Sequence, residues 1–439
     1  MNPGQWDWTR RDVLRAGWLA SLGVSSSGWL PLLANEASQS ERRRQCILLW
    51  MAGGPSQTDT FDMKPGHANG GEFKEIATRV PGLRISEHLP MVALHADQLA
   101  VVRSVSTREG DHQRGTYAMR TGHRPGGPIR FPCIGATLAK ELHVVDHALP
   151  DYFTIDPVVQ LSPEAFSPGF LGPNFAPATV GGNNEAPPAP GQFAELRVDN
   201  LALPPSVSVS QAQSRVELWQ HLQRGFLREH ETFGPVAQDT VYRRALKIMS
   251  SRDTEAFDLG QEPDAVRQAY GPTRFGQGCL LARRLIERGV PIVEVTLGTG
   301  LGWDTHQDNF RRVRELSNEL DLGWGTLMSE LKERGLLETT TILWMGEFGR
   351  TPNINPQAGR DHFPNAWTCV FAGGGIRGGQ YYGRTSDDGM EVAEDKVSEA
   401  DVLATLCQAL GIDPNRENVS PEGRPIRLAE GTVIDKILA

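Results

Sequence analysis

The stretch Cys279-Leu280-Leu281-Ala282-Arg283-Arg284-Leu285-Ile286-Glu287-Arg288-Gly289 runs almost at once into Pro291-Ile292-Val293-Glu294-Val295-Thr296-Leu297. The first part is an amphipathic helix closed by glycine, the residue that best tolerates the left-handed turn at a helix end. The second is a β-branched run of strand length. A helix feeding directly into a buried strand is the unit of an α/β fold.

The same rhythm extends in both directions. Downstream, a loop with Asp304 and His306 leads into a helical pattern from Asn309 to Arg334, then strands from Thr340 to Met345 and Trp367 to Ala372. A last helix, Ser398 to Leu410, begins with the capping-type Ser398-Glu399-Ala400-Asp401 and stops at Gly411. Upstream, Cys46 to Ala52 is a continuous apolar run ending in Gly53-Gly54-Pro55, and Leu99 to Val105 is a second short run, rich in Val; both read as buried parallel strands. Ser210 to Phe233, Val236 to Phe257 and Pro263 to Gly289 show helical spacing, whereas Pro150 to Pro205, thick with Pro, Gly and Asn, reads as an irregular surface excursion. The chain is therefore expected to be α/β, with a mostly parallel central sheet covered by helices on both faces. One domain at 44–439 carries a Pro/Gly-rich and helical insertion at about 150–262.

Thr9-Arg10-Arg11-Asp12-Val13-Leu14-Arg15 is a twin-arginine signature ahead of a weakly apolar stretch from Ala16 to Leu33, so residues 1–37 read as an export signal. Export to the periplasm or beyond is expected, with no stable membrane span once the signal is removed. The net charge of −9 is mixed along the chain, which disfavours nucleic acid as partner. Five cysteines, Cys46, Cys133, Cys279, Cys369 and Cys407, lie far apart and mostly within apolar runs, as buried free thiols would. The sequence leaves the oligomeric state open.

Polar clusters flank the strands. Trp303-Asp304-Thr305-His306, Gly346-Glu347-Phe348-Gly349-Arg350-Thr351-Pro352 and Gly359-Arg360-Asp361-His362 each follow or precede an apolar run, where α/β proteins gather their ligands. Carboxylate and imidazole together suit a divalent metal, which makes Asp304, His306, Glu347 and His362 candidate ligands. Asp361 is suited to orient a neighbouring imidazole. Arg350 and Arg360 suit an anionic substrate group, or pairing with Glu347 or Asp361. Gly53 to Asp62 adds a hydroxyl and the acids Asp59 and Asp62, and His112 stands at a helix start, suited to bind metal or attack an electrophile.

These segments carry a resemblance. Gly-Gly-Pro-Ser-x-x-Asp-Thr-Phe-Asp at 53–62, Leu-Ala-Arg-Arg-Leu at 281–285, Gly-Trp-Asp-Thr-His at 302–306 and Gly-Glu-Phe-Gly-Arg-Thr-Pro at 346–352 resemble the exported bacterial domain-of-unknown-function family 1501. That family is similar in fold to the alkaline phosphatase and sulfatase superfamily. The resemblance implies that His362, before the strand that ends in Gly373-Gly374-Gly375, is the terminal metal ligand, and that Asp304 and His306 are the preceding pair. Glu347-Phe348 stands where members have an Asp-His pair, so one ligand is missing. Gly53 takes the place of the first-strand Asp, for which Asp59 or Asp62 must stand in. Counting back from Thr121-Gly122 puts His112 in the nucleophile's place, with Thr116 and Ser56 the nearest hydroxyls.

The function implied is a metal-dependent hydrolase of phosphate or sulfate esters, acting on a small molecule or polysaccharide. The metal is Zn, Ca, Mg or Mn, and His112, Thr116, Arg350 and Arg360 are the candidate catalytic groups. The alternatives are an inactive binding protein for anionic glycans, and a scaffold or interaction protein.

Overall fold

The computed structural model describes residues 43–439 apart from 144–146, 183–187, 199–200, 202, 205, 231–232 and 250. The expected signal at 1–37 lies outside them. Eight strands form one sheet in the order Gln380–Tyr382, Leu99–Val105, Trp367–Gly373, Thr340–Met345, Gln45–Met51, Ile292–Leu297, Tyr152–Ile155 and Ala178–Val180. Seven are parallel, and Trp367–Gly373 runs antiparallel to both of its neighbours. Gln45–Met51 lies near the centre and is buried throughout, with alternate residues serving the two faces of the sheet. Ile47, Leu49 and Met51 join one core, and Cys46, Leu48 and Trp50 the other.

The helices Arg274–Glu287 and Asn309–Glu333 cover the first core, supplying Cys279, Leu281, Leu285, Leu320, Trp324 and Leu327. Ile134–Glu141 and Glu399–Ala409 cover the second. The expected mostly parallel, doubly covered sheet is thus present, and Arg44–Ala439 forms one compact unit. All five cysteines are buried and free. Among the described residues no helix is long and apolar enough to cross a membrane.

The antiparallel strand has a local cause. A parallel return needs a crossover long enough to carry the chain to the other end of the sheet. Between Met345 and Trp367 there is instead a two-residue antiparallel ladder, Gly349–Arg350 with His362–Phe363, which turns the chain back at the same edge. That turn places Glu347, Arg350, Arg360 and His362 together at the carboxyl ends of the parallel strands.

Two expectations need correction. The stretch 150–205 is not irregular throughout, because Tyr152–Ile155 and Ala178–Val180 complete one side of the sheet. Strands this short among prolines leave too little periodicity to detect. The helix expected from Pro263 to Gly289 is broken into Asp264–Tyr270 and Arg274–Glu287. Pro272 lacks the N–H a continuing helix would need, and Gly271 sits at φ +87°.

Candidate metal centre

His112 is the first residue of the helix His112–Thr121, capped by Asp111, whose side chain accepts from Arg114 N. Asp304 lies beyond the strand Ile292–Leu297, and Glu347 directly beyond Thr340–Met345. His362 sits just before Trp367–Gly373. Because three of these follow parallel strands and the fourth precedes the antiparallel one, all four meet at one edge of the sheet.

Ligand atoms of His112, Asp304 and His362 lie within 4.8 Å of one another. His112 Nε2 is 3.3 Å from Asp304 Oδ2, and His362 Nε2 is 3.3 Å from Asp304 Oδ1. His306 joins them, its Nε2 being 3.1 Å from Asp304 Oδ1 and 3.1 Å from His362 Nε2. Each imidazole is tied on its other side: His112 Nδ1 to Glu347 Oε1 at 2.7 Å, His306 Nδ1 to Asp361 Oδ1 at 2.7 Å, and His362 Nδ1 to the Gly110 carbonyl at 2.7 Å. Carboxylates and a carbonyl only accept, so all three Nδ1 atoms carry the proton. The three Nε2 atoms are left to face Asp304 and, for His306 and His362, one another.

Nitrogen lone pairs at such separations repel each other and the carboxylate unless a cation or extra protons lie among them. Imidazole nitrogens held by a second partner and joined by a carboxylate are the donor set of a transition-type divalent ion. The residues present therefore fit one such ion. Burial alone would push the His112 imidazole down, but the Asp304 and Glu347 carboxylates outweigh it and raise its pKa to about 9. Burial opposes ionisation of Asp304 too, yet His112, His362 and Arg350 hold its carboxyl well below the usual range.

A pH dependence follows. With a pKa of about 9, His112 holds two protons at neutral pH in the metal-free protein, and binding an ion through Nε2 requires one to leave. Apparent metal affinity is thus expected to rise with pH until about 9, with close to one proton released per ion at about pH 7. Calorimetry in buffers of different ionisation enthalpy measures this; proton-independent binding across that range contradicts it.

The remaining expected residues divide. Glu347 is 1% exposed and acts behind His112, with Oε1 also accepting from Gly53 N at 2.9 Å. Arg350 reaches Asp304 Oδ1 at 2.5 Å rather than Glu347 or Asp361, and it also donates to the Gly53, Gly54 and Arg360 carbonyls. Fully buried and committed, it anchors Asp304 rather than meeting a substrate. Asp59 does not stand in as a ligand, and Arg360 does not face an anion. Asp59 accepts from Arg360 Nε and Nη2 at 2.7 and 2.9 Å and from Asn309 Nδ2 at 2.8 Å, with both partners of the ion pair wholly buried. Asp62 is spent on Lys64 and Thr385. Thr116 is 2% exposed with its hydroxyl unpaired, and Ser56 is 1% exposed. Neither hydroxyl is placed to reach a substrate.

Sequence reasoning missed three supports. Gly110 offers only its carbonyl, and Gln57 clamps the Arg350 backbone from both sides at 2.8 and 3.0 Å. Gly53 sits at φ +108°, where a Cβ would come within 2.5 Å of Asp304 N. No side chain fits at that position, so an Asp there is sterically excluded; the glycine itself was the available signal.

Fold and site together define an α/β protein with a His/Asp centre at the carboxyl edge of its sheet. The chain belongs to the family described as protein of unknown function DUF1501, whose model matches residues 43–438. No curated protein matches it. Among solved structures it is similar to the PsFucS1 sulfatase from Pseudoalteromonas sp., with 13% identity over 87% of this chain and 70% of that one and a TM-score of 0.40. It is also similar to a protein in the alkaline phosphatase superfamily from Vibrio parahaemolyticus, with 11% identity, 84% and 67% covered, and a TM-score of 0.38. The lipoteichoic acid synthase LtaP from Listeria monocytogenes gives 10% identity, 85% and 72% covered, and a TM-score of 0.36.

Proposed function

We propose that the protein is an exported, metal-dependent hydrolase of phosphate or sulfate esters. The observation that carries this reading is the convergence of three Nδ1-tethered imidazoles on Asp304. His112, Asp304 and His362 would hold the ion, with His306 beside them, and an imidazole-rich set favours zinc-like ions over calcium or magnesium. Such an ion supplies Lewis acidity towards the ester oxygens.

The chain's own residues divide the remaining tasks. Arg350 fixes the Asp304 carboxylate, and Glu347 and Gly110 fix the two imidazole rings on either side of it. His306, more exposed than the others and held at its Nδ1–H by Asp361, presents an Nε2 able to take the proton of the attacking water and return it to the departing alkoxide. With Thr116 and Ser56 buried, water is the nucleophile, in a single displacement without a covalent ester on the protein. A cleft of about 550 Å³ beside Asp304, lined also by Asp308, Arg311, Arg312 and Gln357, has room for the ester group.

Turnover of aryl phosphates and aryl sulfates by protein loaded in turn with Zn, Mn, Ca and Mg tests the reading. Activity restricted to an imidazole-preferring ion is expected. A loaded protein that turns over neither ester class overturns it; retention of anionic glycan without turnover would select the binding-protein alternative.

Export belongs to the same proposal and rests on the twin-arginine signature at Arg10 and Arg11. Changing both to Lys is expected to leave precursor in the cytoplasm, as fractionation and immunoblotting would show. Unchanged export of that variant removes the localisation.

A further inference from the structure

Seven of the eleven large apolar side chains exposed among the described residues sit on two consecutive helices, Val209–Glu229 and Phe233–Met249. The first begins with a complete capping box at Ser208 and Gln211, yet none of its 21 residues is buried. Helices in proteins draw most of their stability from burying an apolar face, so a well-capped helix with none buried lacks a partner for that face.

The order of residues on the exposed face identifies the partner. Leu218, Leu222 and Phe226 follow one another at four-residue spacing and are 60%, 62% and 47% exposed. Arg215 lies seven residues before Leu222 and Glu229 seven after it. At about 100° per residue, all five fall within an arc of about 80° centred on Leu222. Neither Arg215 nor Glu229 makes an ion pair among the described residues, although the helix pair carries many other charges.

An arrangement symmetric about one residue, with opposite charges at its two ends, is complementary to itself when reversed. We propose that this face binds a second copy of the chain across a two-fold axis at Leu222. The two Val209–Glu229 helices run antiparallel. Leu222 meets its own mate, Leu218 meets Phe226 of the second copy, and Arg215 meets the second copy's Glu229 twice over. Isologous contacts of this kind are the commonest in oligomers. The stripe from Arg215 to Glu229 is only about 21 Å long. Alone it falls short of the roughly 800 Å² per partner of a standard interface, so the equilibrium is expected to depend on concentration.

Sedimentation of the purified protein up to about 100 µM, a range suited to interfaces of small area, is the test. A monomer–dimer equilibrium is expected. Arg215→Glu sets like charges against each other at both ends and is expected to weaken the dimer by roughly tenfold or more. Adding Glu229→Arg to it restores the dimer. Leu222→Cys is expected to give an interchain disulfide on mild oxidation, because the five native cysteines are buried. A monomer at every concentration overturns the proposal. So does a dimer that Arg215→Glu leaves intact and Leu222→Cys fails to trap, and so does capture on anionic vesicles without self-association.

Discussion

Asp304→Asn is expected to remove the divalent ion and, with it, ester hydrolysis. Asp304 touches His112, His306, His362 and Arg350, so no other residue is shared by as many members of the centre. Loss of a partner that merely orients a ligand costs about 10- to 100-fold in metal affinity or activity, and loss of the shared carboxylate should cost at least that. Asn keeps the shape but not the charge that balances the buried Arg350, so a modest fall in thermal stability should accompany the loss. His362→Ala is expected to give the same metal phenotype, and the two changes combined should add little, because both disable one ion. Measured side by side, additive losses would mean separate sites.

Arg360→Met is expected to act through stability alone. It leaves Asp59 wholly buried with Asn309 as its only side-chain partner among the described residues. Removing one member of a buried ion pair costs about 3–5 kcal/mol. At roughly 2.1 cal/mol/K of unfolding entropy per residue, that lowers Tm by about 4–6 °C for a domain of this size. Asp59→Leu added to Arg360→Met should recover much of the loss, since the uncompensated charge is gone. The folded fraction of either variant should keep its metal and its kcat. A fall in kcat at unchanged Tm would return Arg360 to the substrate.

Much of this architecture was legible in the residues. Gln45–Met51, Leu99–Val105 and Ile292–Leu297 are mainly apolar stretches of strand length, interrupted at Arg103, Ser104 and Glu294, and buried parallel strands leave that signature because both faces are covered. The centre was legible for a related reason. Carboxylates and imidazoles at the ends of strands that are almost wholly buried would be costly there without a partner. What the sequence hides is which partner each polar group takes. Asp59 and Arg360 are 301 positions apart, and nothing local distinguishes a buried ion pair from a ligand and an anion clamp. Short edge strands such as Ala178–Val180 are held by their neighbour rather than by their own periodicity. Apolar spacing also marks a helical face without saying whether it meets the core or a second molecule, as Val209–Glu229 illustrates.

The central claim is that His112, Asp304 and His362 share one divalent ion. Elemental analysis of the purified protein after equilibration with a zinc-class ion and removal of excess metal tests it most directly. The same measurement is made on His112→Ala, Asp304→Asn and His362→Ala, with the neighbouring surface variant Asp308→Asn as control. About one ion per chain is expected in the parent and the control, as for a single-ion site, and almost none in the three site variants. An ion-free parent, or full occupancy in His362→Ala and Asp304→Asn, would contradict it.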